Sequence, residues 1–388
     1  MKKKYKKSIS LEGILAILLI IGGVFYTANI MGGINMINTI MKTTHDLLLN
    51  TVFFIMGIAV LAGALAGVLS EFGVISIVNR VLSPLMKPLY NMPGAAVLGV
   101  ITTYLSDNPA VITLAEDKGF RKYFKKFQLP ALTNLGTSFG MGLVVSAFMV
   151  AQSSIAGESL IVPVVIGNIG AFIGSIVSVN LMLMFTKKLY GTEEYIDGNN
   201  NYDSNADILN YREVRDGSVT GRALEAALEG GKTGVKMGLE IIPGVLIICT
   251  MVMMMTNGPS PDGYTGAAYE GIKLLPFIGD KLSFIFTPIF GFQHSEALAF
   301  PITSLGAVGA AISLVPQLLR DKLIGGNEIA VFTAMGMCWS GYLSTHVAMM
   351  DSLKFRNLTG KAIFSHTIAG LVAGSSAHFL FIFYTAFM

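Results

Sequence analysis

Long apolar segments alternate with short polar ones along most of this 388-residue chain. A transmembrane helix needs about 20 consecutive, mostly apolar residues. Segments of that length predict spanning helices at 11–31, 47–69, 129–151, 160–186, 236–256, 328–350 and 362–386. The pattern therefore predicts an all-α polytopic membrane protein with about seven transmembrane helices.

Two stretches of mixed polarity and two interrupted apolar segments lie between these spans. The stretches at about 70–90 and 264–282 are typical of helices that lie in the plane of the membrane interface. Each precedes an apolar segment with polar residues at its centre, at 92–117 and 283–319. Such a segment is typical of a re-entrant hairpin, which enters the membrane and returns to the same side. We therefore expect two interfacial helices and two re-entrant hairpins.

The basic residues give the orientation. With the N-terminus inside and both hairpins re-entrant, 22 of the 27 Lys and Arg residues fall on the inside. Cytoplasmic loops are enriched in Lys and Arg, so this layout obeys the positive-inside rule. We predict a multi-pass protein of the cytoplasmic membrane with its N-terminus inside.

Composition and motifs exclude several classes of function. Apolar residues make up 53% of the chain and charged residues 13%, and the net charge of +3 is too small to indicate nucleic-acid binding. Cys249 and Cys338 lie in apolar segments, so they form neither a disulfide framework nor a zinc-binding pattern. The chain has no phosphate-binding Gly-x-x-x-x-Gly-Lys-Ser/Thr loop and no nucleophile elbow. We expect no enzyme activity, no metal site and no cofactor.

The order of the predicted elements occurs twice. An N-terminal helix and outside loop (1–45) precede a first repeat (46–187), a hydrophilic linker (188–232) and a second repeat (233–388). The linker is rich in charged residues and has three asparagines at 199–201, which predicts a cytoplasmic, partly disordered segment. An odd number of crossings separates the repeats, so they are inverted. Inverted repeats with interrupted helices are typical of secondary transporters with a binding site near the midplane.

The candidate site consists of the polar residues that interrupt apolar segments. They are Ser106, Asp107 and Asn108 in the first hairpin; Gln293, His294, Ser295 and Glu296 in the second; Asn134, Thr137 and Ser138 in one broken helix; and Ser340, Ser344, Thr345 and His346 in the other. Desolvating a charged group in hydrocarbon is costly, so such groups line a cavity or a solute path. We predict binding of a small polar solute, with Asp107, Glu296 and His346 as candidates for binding a coupling Na⁺ or H⁺.

Each group has an alternative role. Asp107 and Glu296 could be paired within the fold, and Asn108 with Pro109 could form only a turn. The small polar residues of the first broken helix could simply bond neighbouring helices. His294, Glu296 and His346 together suit a divalent metal ion, so a passive metal path is a further alternative.

The repeated interfacial helix, hairpin and broken helix resemble the Gate, or nucleoside-recognition, superfamily over about 45–388. This superfamily includes concentrative nucleoside transporters, ferrous-iron permeases and spore-maturation-type membrane proteins. The segment Phe292-Gln293-His294-Ser295-Glu296-Ala297 is similar to the Gly-Gln-Thr-Glu-Ala type motif of the nucleoside transporters. Cys338-Trp339-Ser340-Gly341-Tyr342 echoes their Cys-Gly-Phe-Ala-Asn type core, without its asparagine. The first motif stands here in the second repeat, and the first hairpin has Ser-Asp-Asn-Pro instead.

The resemblance implies a secondary transporter of a small polar solute, with nucleoside or nucleobase first, coupled to Na⁺ or H⁺. It also implies a homo-oligomer, because the nucleoside transporters of this superfamily are trimers. Two alternatives stay open: a spore-maturation-type protein that does not transport and acts through partners, and a passive divalent metal permease.

Overall fold

The computed structural model describes residues 10–108, 110–116, 118–196 and 214–387. Pro109 of the first hairpin and linker residues 197–213, with the asparagines at 199–201, lie outside the described residues. Within the described ranges, six helices are long and apolar enough to cross a membrane, and there are seven if a helix pair bent by 76° is counted as one span. The predicted all-α, multi-pass architecture is confirmed.

We number the helices in chain order. They are α1 (Leu11–Met31), α2 (Gly33–Glu71), α3 (Val74–Tyr90), α4 (Ala96–Leu105), α5 (Ala110–Glu116), α6 (Leu129–Thr137), α7 (Gly142–Ala151), α8 (Ile161–Tyr190), α9 (Val219–Thr256), α10 (Leu274–Phe290), α11 (Ala299–Ser304), α12 (Val308–Arg320), α13 (Gly326–Cys338), α14 (Tyr342–Ser352) and α15 (Thr359–Ala386). Shorter helical turns lie at Lys118–Arg121, Ser153–Ala156, Ser295–Leu298 and Arg356–Leu358.

Helices α2 and α9 are longer than predicted. Residues 33–46, expected to be part of an outside loop, belong to α2, and residues 219–232, expected to be linker, belong to α9. The two helices cross with their backbones in contact, and a β-carbon at Gly63 would lie 2.3 Å from the carbonyl oxygen of Gly230. Gly63 and Gly67 face Gly230 and Gly234, so two small-xxx-small motifs allow this close approach.

A second close helix pair forms the centre of the protein. In α8 and α15, β-carbons at Gly170 and Gly174 would lie 2.7 Å and 2.6 Å from the carbonyl oxygens of Ala373 and Ala369. Helix α13 packs against both, and its residues 328–338 are all buried. Helices α8 and α15 are therefore the frame against which the broken helices pack.

The two halves of the chain contain the same elements in the same order. Helix α3 corresponds to α10, the pair α4 and α5 to α11 and α12, the pair α6 and α7 to α13 and α14, and α8 to α15. Helices α3 and α10 both end at a residue in the left-handed conformation, Asn91 (φ 49°) and Gly291 (φ 72°). The helices of the two halves therefore follow one another in the same order.

This correspondence corrects the predicted bounds of the second repeat. The interfacial helix expected at 264–282 does not begin until Leu274, because residues 257–273 contain several glycines and prolines and form an irregular loop. Helix α10 continues to Phe290, past the predicted start of the hairpin at 283. The predicted span 328–350 is divided at Trp339–Gly341 into α13 and α14, each too short to cross a membrane alone.

A buried carboxylate anchors the irregular loop. Glu270 is 2% exposed and accepts hydrogen bonds from the backbone of Thr265 and Gly266 and from the hydroxyl groups of Ser260, Thr265 and Thr39. Burial alone would raise the pKa of Glu270, but these hydrogen bonds outweigh it and lower the pKa to about 2. The ionised carboxylate ties the loop to itself and, through Thr39, to α2.

Acid is expected to weaken this anchor. Because the folded-state pKa lies below the ordinary value of 4.5, Glu270 stabilises the fold fully above pH 4.5, and the contribution is lost as the pH falls toward 2. The Tm difference between wild type and Glu270→Gln should therefore shrink over that range. The control is Glu158→Gln, at an exposed position in another loop. A Tm difference for Glu270→Gln that stays constant with pH would contradict this assignment.

Candidate functional site

The second broken helix is interrupted at Trp339–Gly341, between α13 and α14. Gly341 adopts the left-handed conformation (φ 66°) and begins α14. Its backbone N–H donates to the carbonyl of Ser304, at the end of α11, over 3.1 Å. A β-carbon at Gly341 would lie 3.1 Å from the carbonyl oxygen of Gly306. The break between α11 and α12 therefore packs directly on the break of the second broken helix.

The first predicted hairpin, which is the helix pair α4 and α5, reaches the same point through Asn108. Its side-chain amide donates to the carbonyl of Ser340, and the side chain is completely buried. Asn108 also packs against the first broken helix, because a β-carbon at Gly140 would lie 1.8 Å from its amide oxygen and 3.0 Å from the β-carbon of Ser340. Asn108 thus fills the space between the two broken helices. Both hairpin breaks converge on Ser340 and Gly341.

A cavity of about 160 Å³ opens at this convergence. Its wall contains Asp107, next to Asn108, and Met141, which begins α7. The other lining residues come from α9, the break between α11 and α12, and the second broken helix; they are Met237, Glu240, Ile241, Gly244, Gly306, Ala307, Val308, Gly309, Ser340, Gly341, Ser344 and Thr345. The backbone N–H of Asn108 donates to Asp107 over 2.7 Å, which orients that carboxylate. The cavity offers carboxylates, hydroxyl groups and non-helical backbone to a polar ligand.

The sequence analysis missed Glu240. It lines the cavity from α9, where its side chain is 58% exposed and lies 3.9 Å from Lys236. An exposed pair of this kind contributes little to stability. The sequence did contain a signal for this residue, because Glu240 is the only acidic residue in the predicted span 236–256, and acidic residues inside membrane spans are rare.

The small polar residues of the first broken helix bond to neighbouring backbone and helices. Asn134 donates to Ser178 and to the carbonyl of Ala362, and Thr137 and Ser138 donate to carbonyls one turn earlier in α6. All three side chains are fully buried and outside the cavity. Of the predicted residues, Asp107, Ser340, Ser344 and Thr345 line the cavity, and Asn108 supports it. Ser106 lies in the first hairpin break beside them.

The structure does not bring Gln293, His294, Ser295 and Glu296 to this cavity. They follow α10, at the position that corresponds to residues 93–96 after α3, whereas the counterpart of the Asp107 break is Ser304–Ala307. Gln293 and His294 are exposed. The sequence analysis treated this segment as the counterpart of Ser106–Asn108. The structure does not, because α10 continues eight residues beyond the predicted end of the interfacial helix.

His346 is buried on α14 and does not line the cavity either. Its Nδ1 lies 3.1 Å from the carbonyl of Tyr342, and among the described residues its Nε2 has no hydrogen-bond partner. Its ring lies 4.8 Å from that of His366, a residue that the sequence analysis did not single out. Within the described residues, no three His, Cys, Asp or Glu side chains lie close enough to hold a metal ion. His294, Glu296 and His346 are therefore not assembled as the metal hypothesis required.

Comparison with known proteins identifies solved structures with a similar fold. Neither the family models nor the curated proteins compared with the chain give a match. The concentrative nucleoside transporter CNTnw in an inward-facing, substrate-bound state is similar, with a TM-score of 0.50 and 13% identity over 95% of this chain and 84% of CNTnw. A CNTnw variant in an outward-facing state has a TM-score of 0.44 at 13% identity, over 95% and 84% of the two chains. The chain is a multi-pass membrane protein whose fold is similar to that of the concentrative nucleoside transporter CNTnw.

Proposed function

We propose that this protein is a secondary transporter that binds a small polar solute in the cavity between Asp107, Glu240 and the second broken helix. The convergence of both hairpin breaks on Ser340 and Gly341 carries the proposal. Breaks in four apolar helix pairs leave backbone groups unpaired by helical bonds, and such backbone is tolerated at membrane depth only where protein or a water-filled cavity surrounds it. A site built from these breaks is typical of secondary transporters.

The residues of the cavity wall support the proposed class of solute. Two carboxylates, three hydroxyl side chains and the non-helical backbone at Gly306 and Gly341 suit a ligand with several hydrogen-bond donors. We propose a nucleoside or nucleobase, in agreement with the protein of similar fold. The cavity of about 160 Å³ is smaller than the ~300–1,000 Å³ of typical ligand sites, so it fits the base first and a whole nucleoside only after it widens.

The topology proposed from the basic residues gives the cavity a direction. With the N-terminus inside the cytoplasmic membrane, α9 would run outward, and Glu240 would lie near the inner end of its apolar run. The cavity would then face the cytoplasm. Transport would require the hairpins to move relative to the broken helices and reopen the cavity on the other side, with Na⁺ or H⁺ coupling at Asp107 or Glu240. We place the chain in the Gate superfamily as part of the same proposal.

A thermal-shift screen of the detergent-purified protein tests this function. The ligands are nucleosides, nucleobases, amino acids, divalent metal ions and Na⁺, and the variants are Glu240→Gln and Glu296→Gln. These two carry the same chemical change, one inside the cavity and one outside it. We expect a nucleoside or nucleobase to raise the Tm of wild type, since a ligand at about 100 times its Kd stabilises by about 2.7 kcal/mol. Glu240→Gln should reduce the shift and Glu296→Gln should preserve it.

Other results would overturn the proposal. A shift lost only in Glu296→Gln would place the site at the Gln293–Glu296 segment. A shift with divalent metal ions alone would support a metal permease. A well-folded sample that responds to nothing would support a protein that acts through partners, as in the spore-maturation-type alternative.

A further inference from the structure

A series of buried hydrogen bonds links the two broken helices. The amide nitrogen of Asn134, in α6, lies 3.1 Å from the hydroxyl of Ser178, in α8. That hydroxyl lies 2.8 Å from Nδ1 of His366, in α15, and Nε2 of His366 bonds to the carbonyl of Cys338, the last residue of α13. All four residues are completely buried. This series of hydrogen bonds therefore connects the first repeat with the second.

The donor of each hydrogen bond in this series can be assigned from the chemistry of its partner. Asn134 must present its NH₂ group here, because the same nitrogen bonds to the carbonyl of Ala362 over 3.0 Å, and a carbonyl only accepts. The carbonyl of Cys338 likewise only accepts, so His366 carries its proton on Nε2 and neutral Nδ1 accepts from Ser178. One arrangement of protons satisfies all the groups. The direction of donation runs from Asn134 through Ser178 and His366 to Cys338.

His366 holds the break from two sides. Besides its bond to the carbonyl of Cys338, its own carbonyl accepts from the indole N–H of Trp339 over 3.3 Å. Gly370, one turn later in α15, leaves room for the indole, because a β-carbon there would lie 2.0 Å from the indole nitrogen. Trp339 is followed directly by Ser340 and Gly341, on which both hairpins pack. The position of the break therefore depends on α15.

We propose that His366 is a positioning residue of the solute site, and that its bonds to Ser178 and Cys338 hold the two broken helices in register. This inference rests on the proposed function of the cavity. The ring of His366 does not touch the solute. It fixes the carbonyl that precedes the break, and with it the Ser340 carbonyl that Asn108 requires.

Cys338 supplies a readout that needs no solute. It is one of only two cysteines, it is fully buried, and its thiol lies 3.8 Å from the carbonyl of Ser138 in the first broken helix. In a Cys249→Ala background, the rate of modification by N-ethylmaleimide reports how well the two broken helices stay together. The variants are His366→Leu, which removes both ring bonds; His366→Gln, which keeps a donor toward Cys338; and Ser178→Ala.

Ser365→Ala is the matched control, because Ser365 is also buried in α15 and its hydroxyl has no partner among the described residues. We expect His366→Leu and Ser178→Ala to raise the modification rate about tenfold, and His366→Gln to stay near wild type. The first two should also weaken solute binding about five- to tenfold relative to Ser365→Ala.

Equal modification rates in Ser178→Ala, His366→Leu and Ser365→Ala would overturn the inference, as would equal solute affinities. If His366→Leu does not fold, the comparison of Ser178→Ala with Ser365→Ala decides. Failure of the proposed function gives a different result, because wild type would then bind no solute. In that case, changed modification rates would confine His366 to holding the fold and would overturn its role at a solute site.

Discussion

Asp107→Asn is expected to reduce solute affinity by about 10- to 100-fold while the protein stays folded. The change keeps the size of the side chain and one oxygen to accept from the N–H of Asn108, so the hairpin break should persist. It removes the negative charge that a hydroxyl, an amine or a coupling cation would meet in the cavity. A hydrogen bond to a charged group is worth ~1.5–3 kcal/mol, which corresponds to this range of affinity. Uptake into proteoliposomes and the ligand-induced Tm shift both measure the loss.

Asp280→Asn is the matched control for this variant. Asp280 is an exposed aspartate on α10 and does not line the cavity. Its substitution should leave uptake near the wild-type rate. If Asp107→Asn and Asp280→Asn transport equally well, Asp107 has no part in binding and the cavity is not the solute site.

The spanning helices could be predicted because their signal is local. A run of about 20 apolar residues has one low-energy arrangement in a bilayer, so α1, α8 and α15 lie close to their predicted bounds. The interruptions at Asp107 and at Ser340–Gly341 were also visible, since polar residues inside apolar runs are rare and costly. These positions do line the cavity.

The hairpin of the second repeat could not be assigned from polarity alone. Its break at Ser304–Ala307 contains only one polar side chain and is recognised by backbone geometry, whereas the polar segment Gln293–Glu296 lies at the entrance of the hairpin. A match between the two polar segments, 106–108 and 293–296, therefore aligns positions that do not correspond in the structure. The left-handed residues Asn91 and Gly291, which end α3 and α10, give the correct register, and only the structure displays them.

Packing gives different roles to residues that look alike in the sequence. Asn108 and Asn134 are both asparagines within interrupted apolar segments. Asn108 bonds to the break beside the cavity, and Asn134 bonds to Ser178 and Ala362 in the frame. Which of these roles an amide takes depends on the helix that packs against it, and that information is non-local. His366 was missed for the same reason, because its partners are 28 and 188 residues away.

Gly140→Ala is expected to have the second large effect, on both stability and solute binding. The added methyl group would lie 1.8 Å from the amide oxygen of Asn108, which is already buried without a partner among the described residues. Asn108 would have to leave the Ser340 carbonyl, or the two broken helices would have to separate. Overpacking of this kind costs about 1–3 kcal/mol, and it should lower the Tm and abolish the ligand-induced shift. Gly57→Ala is the control, because no atom lies within 4 Å of its added methyl group.

The double variant Asn108→Ala with Gly140→Ala identifies the cause. Truncating Asn108 removes the atoms that the new methyl group would meet, so we expect the double variant to regain Tm relative to Gly140→Ala alone. Solute binding should stay lost, because Gly140→Ala alone displaces the Asn108 amide from Ser340 and the double variant lacks that amide. Residues in contact are non-additive in this way, whereas independent sites add. Purely additive Tm changes would show that Asn108 does not occupy the space beside Gly140, and that the hairpin and the two broken helices do not meet as described.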